Sequence, residues 1–169
     1  MIVLIGFMGA GKTTIGRLVA TRLGLPCVDS DAVIEEREGR SVREIFASDG
    51  EATFRRIEQS TVLELLGGDE AVLALGGGAV EDPRTRAAVA AATTVHLVVS
   101  AEQVRTRVGS DPRRPLLAGA DLDHLLERRR PHYDEAATFQ VDTDGRSAQA
   151  VADDVVATLS AATDGAGPG

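Results

Sequence analysis

One stretch near the start of the chain decides the fold: Ile2-Val3-Leu4-Ile5-Gly6-Phe7-Met8-Gly9-Ala10-Gly11-Lys12-Thr13. Its first four residues are an apolar run typical of a buried strand, and its last eight match the pattern G-x-x-x-x-G-K-[ST]. The residues from Thr13 to Leu23 follow with apolar side chains at helical spacing. Glycines between a strand and a helix start let backbone N–H groups and the helix dipole face an anion. The stretch therefore predicts a phosphate-binding loop.

The loop pattern also predicts roles for individual residues. Lys12 is expected to reach the β- and γ-phosphates of ATP and to act in catalysis, and the hydroxyl of Thr13 to hold Mg²⁺. A GTPase would need an Asn-Lys-x-Asp segment, which the sequence lacks. The stretch from Asp142 to Gly145 comes too late in the chain for a γ-phosphate switch and is interpreted as a turn. The residues predicted to bind ATP at this loop are Gly9, Ala10, Gly11, Lys12, Thr13 and Thr14.

Beyond the loop, short apolar runs alternate with helical patterns along the 169 residues. Strands are predicted at 2–5, 25–29, 72–75, 94–99 and 138–141, with helices between them. This alternation favours one doubly wound α/β domain with a parallel sheet over an α+β domain with mixed strands. We expect the domain to span residues 1–159 and the tail, 160–169, to be disordered.

The composition limits the partners and the cellular setting. A hydrophobic share of 43% with 3% aromatic residues fits a sheet core of Val, Leu, Ile and Ala. The net charge of -8 argues against a nucleic-acid partner, since backbone binding needs clustered positive charge. No apolar run approaches the roughly 20 residues of a membrane helix, and the first residues lack the charged start of a signal peptide. With Cys27 as the single cysteine, we expect a cytoplasmic protein with no membrane partner.

Two aspartates follow the second predicted strand. Asp29 and Asp31 are two residues apart, which on an extended chain puts both carboxylates on one face, about 6.5–7 Å apart. Ligands of doubly wound folds bind at the carboxyl ends of the strands. One carboxylate is then expected in the magnesium shell and the other at an acceptor hydroxyl. Under the alternative interpretation, Ser30 or Asp31 only caps the following helix.

Glycines and arginines form the remaining candidate site. The strand at 72–75 runs into Gly76-Gly77-Gly78, which suits close approach of a ligand to the backbone, although a loose turn is the alternative. Arginines fall in three groups, at 55–56, 113–114 and 128–130, and arginine suits a bidentate grip on carboxylate or phosphate. A solvated face is the alternative for each group. Arg114 lies among prolines in a segment that resembles a lid, where an arginine can close on the transferred phosphoryl group.

Together these residues resemble the shikimate kinase family, and the resemblance covers roughly Ile2 to Leu159. The phosphate loop is shared with many kinases, whereas the order and spacing of the other motifs are specific. Ser30 stands where Thr is common, which is a mild departure. The specific motifs are Asp29-Ser30-Asp31, Ile45-Phe46, Gly50-Glu51, Phe54-Arg55-Arg56-Ile57-Glu58, Gly76-Gly77-Gly78-Ala79, Arg114-Pro115-Leu116-Leu117 and Arg129-x-Pro131-x-Tyr133.

The resemblance implies a three-layer α/β/α P-loop fold with a five-stranded parallel sheet, a substrate-binding helical segment at about 31–60 and a lid at about 110–120. It also implies that ATP phosphorylates the 3-hydroxyl of shikimate with Mg²⁺ as cofactor, in aromatic amino-acid biosynthesis. The partners are then ATP and shikimate, and we expect a monomer.

Site residues are implied by the same resemblance. Asp31 would bind the shikimate hydroxyls and act as the base or orient it, and Asp29 would join the Mg²⁺ shell through water. Arg114 would act in catalysis by bridging nucleotide and acceptor. Shikimate contacts are implied for Arg55, Gly76, Gly77, Gly78 and Arg129, and adenine contacts for Arg107 and Arg146.

Two other functions compete with this interpretation. Another small-molecule kinase of the same fold, such as a gluconate kinase, predicts the phosphate loop and lid but not the glycine run with paired arginines. A nucleotide-binding regulatory module without turnover would be expected to lack Asp31.

Overall fold

The structure is a computed structural model that describes residues 1–108 and 122–164. Every neighbouring pair of strands in its sheet is parallel. The five-stranded parallel sheet expected from the sequence is thereby confirmed, with boundaries within two residues of the prediction. The strands are β1 Ile2–Ile5, β2 Cys27–Asp29, β3 Val72–Ala74, β4 Thr93–Val98 and β5 Phe139–Asp142, and their spatial order is β2-β3-β1-β4-β5.

Helices connect the strands and cover the sheet. The described helices are α1 Lys12–Leu23, α2 Ser30–Glu38, α3 Val42–Asp49, α4 Glu51–Leu66, α5 Pro83–Ala90, α6 Ala101–Val108, α7 Leu122–Ala136 and α8 Ala148–Asp164, with a 3₁₀ turn at Ala79–Glu81. Helices α1 and α8 pack against each other, and α5 and α7 form a second pair that contacts β4. The three-layer α/β/α architecture predicted above is therefore confirmed.

The end of the chain differs from the prediction. Helix α8 continues to Asp164, so residues 160–164 are helical where disorder was expected from residue 160 onward. Ser160 and the alanines after it are compatible with a helix, and the Ser160 hydroxyl donates to the Val156 carbonyl at 3.0 Å. The predicted lid, with Arg114, and residues 165–169 lie outside the described residues.

Aliphatic side chains build the main core. The central strands are buried on both faces, as expected for a parallel sheet covered by two helical layers. Fully buried examples are Val3, Leu4, Leu73 and Leu97. Throughout the described parts of the chain, every helix is too short or too polar to cross a membrane.

Helices α2, α3 and α4 form a smaller unit beside the sheet. They enclose a second apolar cluster of Ile34, Ile45 and Phe54, each at most 3% exposed. Helix α3 begins with a capping box, in which the Ser41 hydroxyl accepts from the Glu44 N–H and the Glu44 carboxylate accepts from the Ser41 N–H. The segment around 31–60 therefore folds into helices with a core of their own.

Strand β4 carries a buried histidine. His96 is 5% exposed and lies opposite Ile5 in the register of β1 and β4. Its ring packs on Tyr133 with the ring centroids 4.9 Å apart, and its Nδ1 lies 3.5 Å from Oδ1 of Asp134. Burial lowers the pKa of His96 to about 4, because the carboxylate of Asp134 offsets only part of the lost hydration.

We expect His96 to make the fold sensitive to acid. A histidine in the unfolded chain has a pKa of about 6.5, so between that pH and about 4 the unfolded state binds a proton that the folded state does not. Stability is therefore lost as the pH falls through this window. At about 1.4 kcal/mol per pKa unit, the loss is on the order of 3 kcal/mol.

The variant His96→Phe tests this expectation, since it keeps an aromatic ring against Tyr133 and removes the titration. Its free energy of unfolding, measured by urea titration between pH 4.5 and 8, should fall less on acidification than that of the wild type. Parallel curves for the two proteins would contradict the assignment.

Candidate active site

The phosphate loop joins β1 to α1 and is tightly packed. Gly6 adopts a φ of 143°, and a Cβ there would lie 2.5 Å from the carbonyl oxygen of Leu97. Gly11 adopts a left-handed φ of 89° as the N-cap of α1. Both positions require glycine, because other residues would be strained or would collide with β4. The loop thus brings the N-terminus of α1 to the carboxyl end of β1, as its sequence pattern predicts.

Lys12 folds over this loop. Its ammonium donates to the carbonyl oxygens of Gly6, at 2.7 Å, and Phe7, at 3.1 Å. These contacts hold a positive charge at the mouth of the loop, beside the helix N-terminus.

Asp29 connects the phosphate loop to the start of helix α2. Its Oδ2 accepts from the Thr13 hydroxyl at 2.6 Å, while its Oδ1 accepts from the backbone N–H groups of Asp31 and Ala32 at 3.0 and 3.3 Å. Asp29 is therefore the N-cap of α2, whereas the capping interpretation of the sequence had named Ser30 or Asp31. Ser30 is fully buried, and its hydroxyl accepts from the Gly76 N–H at 3.0 Å.

Asp31 is left without a capping role. Its Oδ1 is buried and has no hydrogen-bond partner in the described structure. Burial is the main cause that raises the pKa of Asp31, and the nearby carboxylate of Asp29 raises it further. A buried carboxylate oxygen without a partner is costly, and it lies in a cavity where a ligand hydroxyl can satisfy it.

Because the glycines of the run have no side chains, neighbouring side chains approach their backbone closely. A Cβ at Gly76 would lie 2.6 Å from Oδ1 of Asp31 and 2.7 Å from Oε1 of Glu58, and one at Gly78 would lie 2.6 Å from Nη1 of Arg55. The hydroxyl of Tyr133 donates to the Gly77 carbonyl at 2.5 Å. The loose-turn interpretation is therefore wrong, since the run is packed and held on both sides.

Two arginines reach the cavity from different helices. On α4, Arg55 donates to Glu58 at 2.6 Å, and its Cζ lies 5.7 and 5.3 Å from the ring centroids of Phe46 and Phe54. On α7, Arg129 is 4% exposed and forms an ion pair with Glu81 of the 3₁₀ turn. Both positive charges are thereby fixed by carboxylates before any ligand is present.

The neighbours of Arg129 are placed differently. Arg128 and Arg130 are exposed, and Arg128 approaches Glu81 only at 3.4 Å. The solvated-face interpretation therefore holds for these two arginines and fails for Arg129.

Arg107 and Arg146 lie at the end of β5, on the side of the phosphate loop opposite β2. Arg107 donates to the carbonyl of Gly9 at 3.1 Å and to the carbonyl of Thr143 at 2.6 Å. The guanidinium of Arg146 pairs with Asp154 at 2.6 Å, and the backbone N–H of Arg146 donates to the Thr143 carbonyl at 3.4 Å. Thr143 therefore brings the two arginines into one region.

One cavity of about 970 Å³ joins the phosphate loop to the glycine run and the two arginines. Among the described residues predicted for the site, Ala10, Arg107 and Arg146 do not line it. Those that line it are Gly9, Gly11, Lys12, Thr13, Thr14, Asp29, Asp31, Arg55, Gly76, Gly77, Gly78 and Arg129.

Three components of the site received no role from the sequence. Glu58 is 3% exposed, lines the cavity and binds Arg55. Its position three residues after Arg55 on a predicted helix was an available signal. Tyr133 binds the glycine run, and Glu81 pairs with Arg129. Each contact joins distant parts of the chain, so sequence spacing gave no indication of it.

This arrangement defines a class of protein. A parallel α/β fold with a phosphate loop at the end of β1, and an acceptor cavity containing a buried carboxylate and two arginines beside it, is that of a P-loop kinase acting on a small anionic molecule.

Comparison with known proteins identifies the family. A family model of shikimate kinase matches residues 8–160. The shikimate kinase of Mycobacterium avium is 48% identical over 163 residues, which cover 94% of this chain and 93% of that protein. A solved structure of the shikimate kinase from Acinetobacter baumannii in complex with shikimate superposes with a TM-score of 0.90 at 34% identity, covering 95% and 93% of the two chains. The chain belongs to the shikimate kinase family and is an ATP-dependent kinase.

A gluconokinase from Sinorhizobium meliloti is also similar, with a TM-score of 0.59 and 19% identity over 97% of this chain and 93% of that one. At this identity the likeness shows a common fold alone.

Proposed function

We propose that this chain transfers the γ-phosphate of ATP to the 3-hydroxyl of shikimate, giving ADP and shikimate 3-phosphate for aromatic amino-acid biosynthesis. One observation carries the assignment of roles: Asp31 lines the same cavity as the phosphate loop and the pair Arg55 and Arg129. An acceptor whose carboxylate pairs with the two arginines can therefore present a hydroxyl to Asp31 and the γ-phosphate at once.

The transfer step uses the chain's own groups as follows. The acceptor oxygen attacks the γ-phosphorus, and the bond from that phosphorus to the bridging oxygen of ADP breaks. Asp31 accepts the hydroxyl proton or orients the hydroxyl for attack. Lys12 and the N–H groups at the start of α1 stabilise the charge on the phosphate oxygens, and Arg114 is proposed to complete this stabilisation from the lid.

Arg107 and Arg146 are proposed to contact the adenine. This proposal is supported by their position next to β5, at the edge of the sheet opposite β2 and Asp31. Planar guanidinium groups can stack on an aromatic base.

Thr13 and Asp29 are proposed to hold Mg²⁺, with Asp29 acting through water. Their side-chain oxygens lie 2.6 Å apart beside the loop, and Mg²⁺ prefers such hard oxygen ligands together with phosphate oxygens. The ion would neutralise charge on the transferred phosphate.

We further propose that the enzyme is a cytoplasmic monomer whose partners are ATP and shikimate. The net charge of -8 speaks against a nucleic-acid partner. The Cys27 thiol is free. Leu63 is the single large hydrophobic side chain that is exposed in the described residues, which leaves little apolar surface for a permanent interface.

A coupled assay of ADP release tests the function. Shikimate with ATP and Mg²⁺ should give turnover, whereas gluconate and nucleoside monophosphates should not. Turnover with gluconate and none with shikimate would favour the rival kinase. ATP binding without ADP release for any acceptor would favour the regulatory module.

A further inference from the structure

Buried charged groups lie close together at the end of the cavity near the glycine run. The carboxylates of Asp31 and Glu58 line it with the guanidinium groups of Arg55 and Arg129, and Arg129 is already paired with Glu81 of the 3₁₀ turn. An acceptor carboxylate would add a further negative charge to this partly enclosed space. Burial makes an uncompensated charge costly, and a carboxyl group relieves that cost by binding a proton.

Glu58 is the carboxylate best placed to do so. It is 3% exposed, and its Oε2 accepts from Nη1 of Arg55 at 2.6 Å. Its Oε1 faces the same point above Gly76 as Oδ1 of Asp31, at 2.7 and 2.6 Å from that point. Two carboxylate oxygens from α4 and α2 are thus directed into one small space.

The charges around Glu58 come from three helices. Burial is the main cause that raises the pKa of Glu58, to about 7, and Asp31 on α2 raises it further. Arg55 on α4 and Arg129 on α7 act in the opposite direction. The Glu58 carboxyl group therefore binds a proton more readily than an exposed glutamate does.

Arg55 has to serve two carboxylates. Without a ligand it is bound by Glu58 and, at 3.3 Å, by the exposed carboxylate of Glu51. Resting on the proposed function, we propose that Glu58 is a positioning residue that takes up a proton from solvent when the acceptor binds, which frees the Arg55 guanidinium to pair with the acceptor's carboxylate. The proton remains on the Glu58 carboxyl, and no covalent bond changes.

The sign of the pH dependence follows from this uptake. The acceptor carboxylate raises the proton affinity of Glu58, so binding is favoured when the proton is available. The shikimate Kd should therefore increase as the pH rises above 7, by up to about tenfold per pH unit.

Calorimetric titration of the wild-type protein with shikimate, without nucleotide, measures the Kd and the proton uptake on binding. Experiments between pH 6 and 9, each in two buffers of different ionisation enthalpy, give the Kd and the number of protons taken up. A substantial fraction of one proton is expected near pH 7. Shikimate binding with no proton uptake would overturn the proposal, whereas absence of shikimate binding would count against the proposed function instead.

Matched variants identify the group that holds the proton. Glu58→Gln imitates the protonated carboxyl and keeps an oxygen for Arg55, so uptake should vanish and its Kd should be nearly independent of pH. Glu51→Gln removes the exposed partner of the same arginine and should keep the wild-type dependence. Uptake that persists in Glu58→Gln and disappears in Asp31→Asn would assign the proton to Asp31 and overturn the proposal.

Discussion

Replacement of Asp31 by Asn should lower kcat by about 10²-fold or more, which is the usual scale for loss of a positioned general base. Asn has nearly the same shape as Asp, but its amide does not accept a proton from the acceptor hydroxyl. ATP binding should persist, because the N–H groups of the phosphate loop and Lys12 are retained and the cap of helix α2 is supplied by Asp29. Steady-state ADP release with shikimate, together with ATP titration of the variant, measures both effects.

Asp29→Asn is the matched control. Asn is also a good N-cap, so α2 should keep its place, while the loss of one anionic oxygen beside Thr13 should mainly shift the Mg²⁺ dependence of turnover. Near-normal kcat in Asp31→Asn would show that the carboxylate of Asp31 is not needed as a base.

Replacement of Arg129 by Ala should raise the KM for shikimate strongly. The loss of a charged hydrogen bond costs about 1.5–3 kcal/mol, which corresponds to roughly 10- to 150-fold. Arg129 is buried against the cavity, whereas the exposed neighbours Arg128 and Arg130 point elsewhere on α7. Initial rates at varied shikimate should therefore change by no more than a few fold in Arg128→Ala and Arg130→Ala.

Removal of Arg129 also leaves Glu81 without its buried partner, so a loss of stability has to be separated from a loss of binding. Arg129→Lys keeps a positive charge but not the planar fork. We expect this variant to unfold at a higher temperature than Arg129→Ala and still to show a raised KM. A normal KM in Arg129→Lys would show that charge alone is sufficient, and a larger effect at Arg130 than at Arg129 would contradict the assignment.

The strands and the phosphate loop could be predicted because their signals are local. An apolar run such as Ile2–Ile5 gives a buried strand, and the glycine-lysine pattern after it specifies a loop and a helix start. Asp31 lies at the cavity because it follows the carboxyl end of β2, which parallel strands place at the same edge as the phosphate loop. Arg55 and Arg129 reach the same cavity from helices α4 and α7.

The contacts that hold those residues could not be predicted, since they join distant parts of the chain. The bond from Tyr133 to Gly77 links positions 56 residues apart. Which residue caps α2 depends on where β2 ends, and the sequence pattern does not define that residue. The loose-turn interpretation of Gly76–Gly78 failed because only the fold shows how closely Arg55, Asp31 and Glu58 approach those glycines.

The second apolar cluster, enclosed by helices α2, α3 and α4, has a consequence for the evolution of acceptor specificity. Ile34, Ile45 and Phe54 pack among themselves, so substitutions there act first on α3 and on the parts of α2 and α4 that enclose this cluster, whereas Val62 of α4 belongs to the main core. Sites far apart with no shared partners are close to additive in their effects on stability. Acceptor specificity can therefore change through substitutions in this small cluster, while the ATP-binding loop is retained.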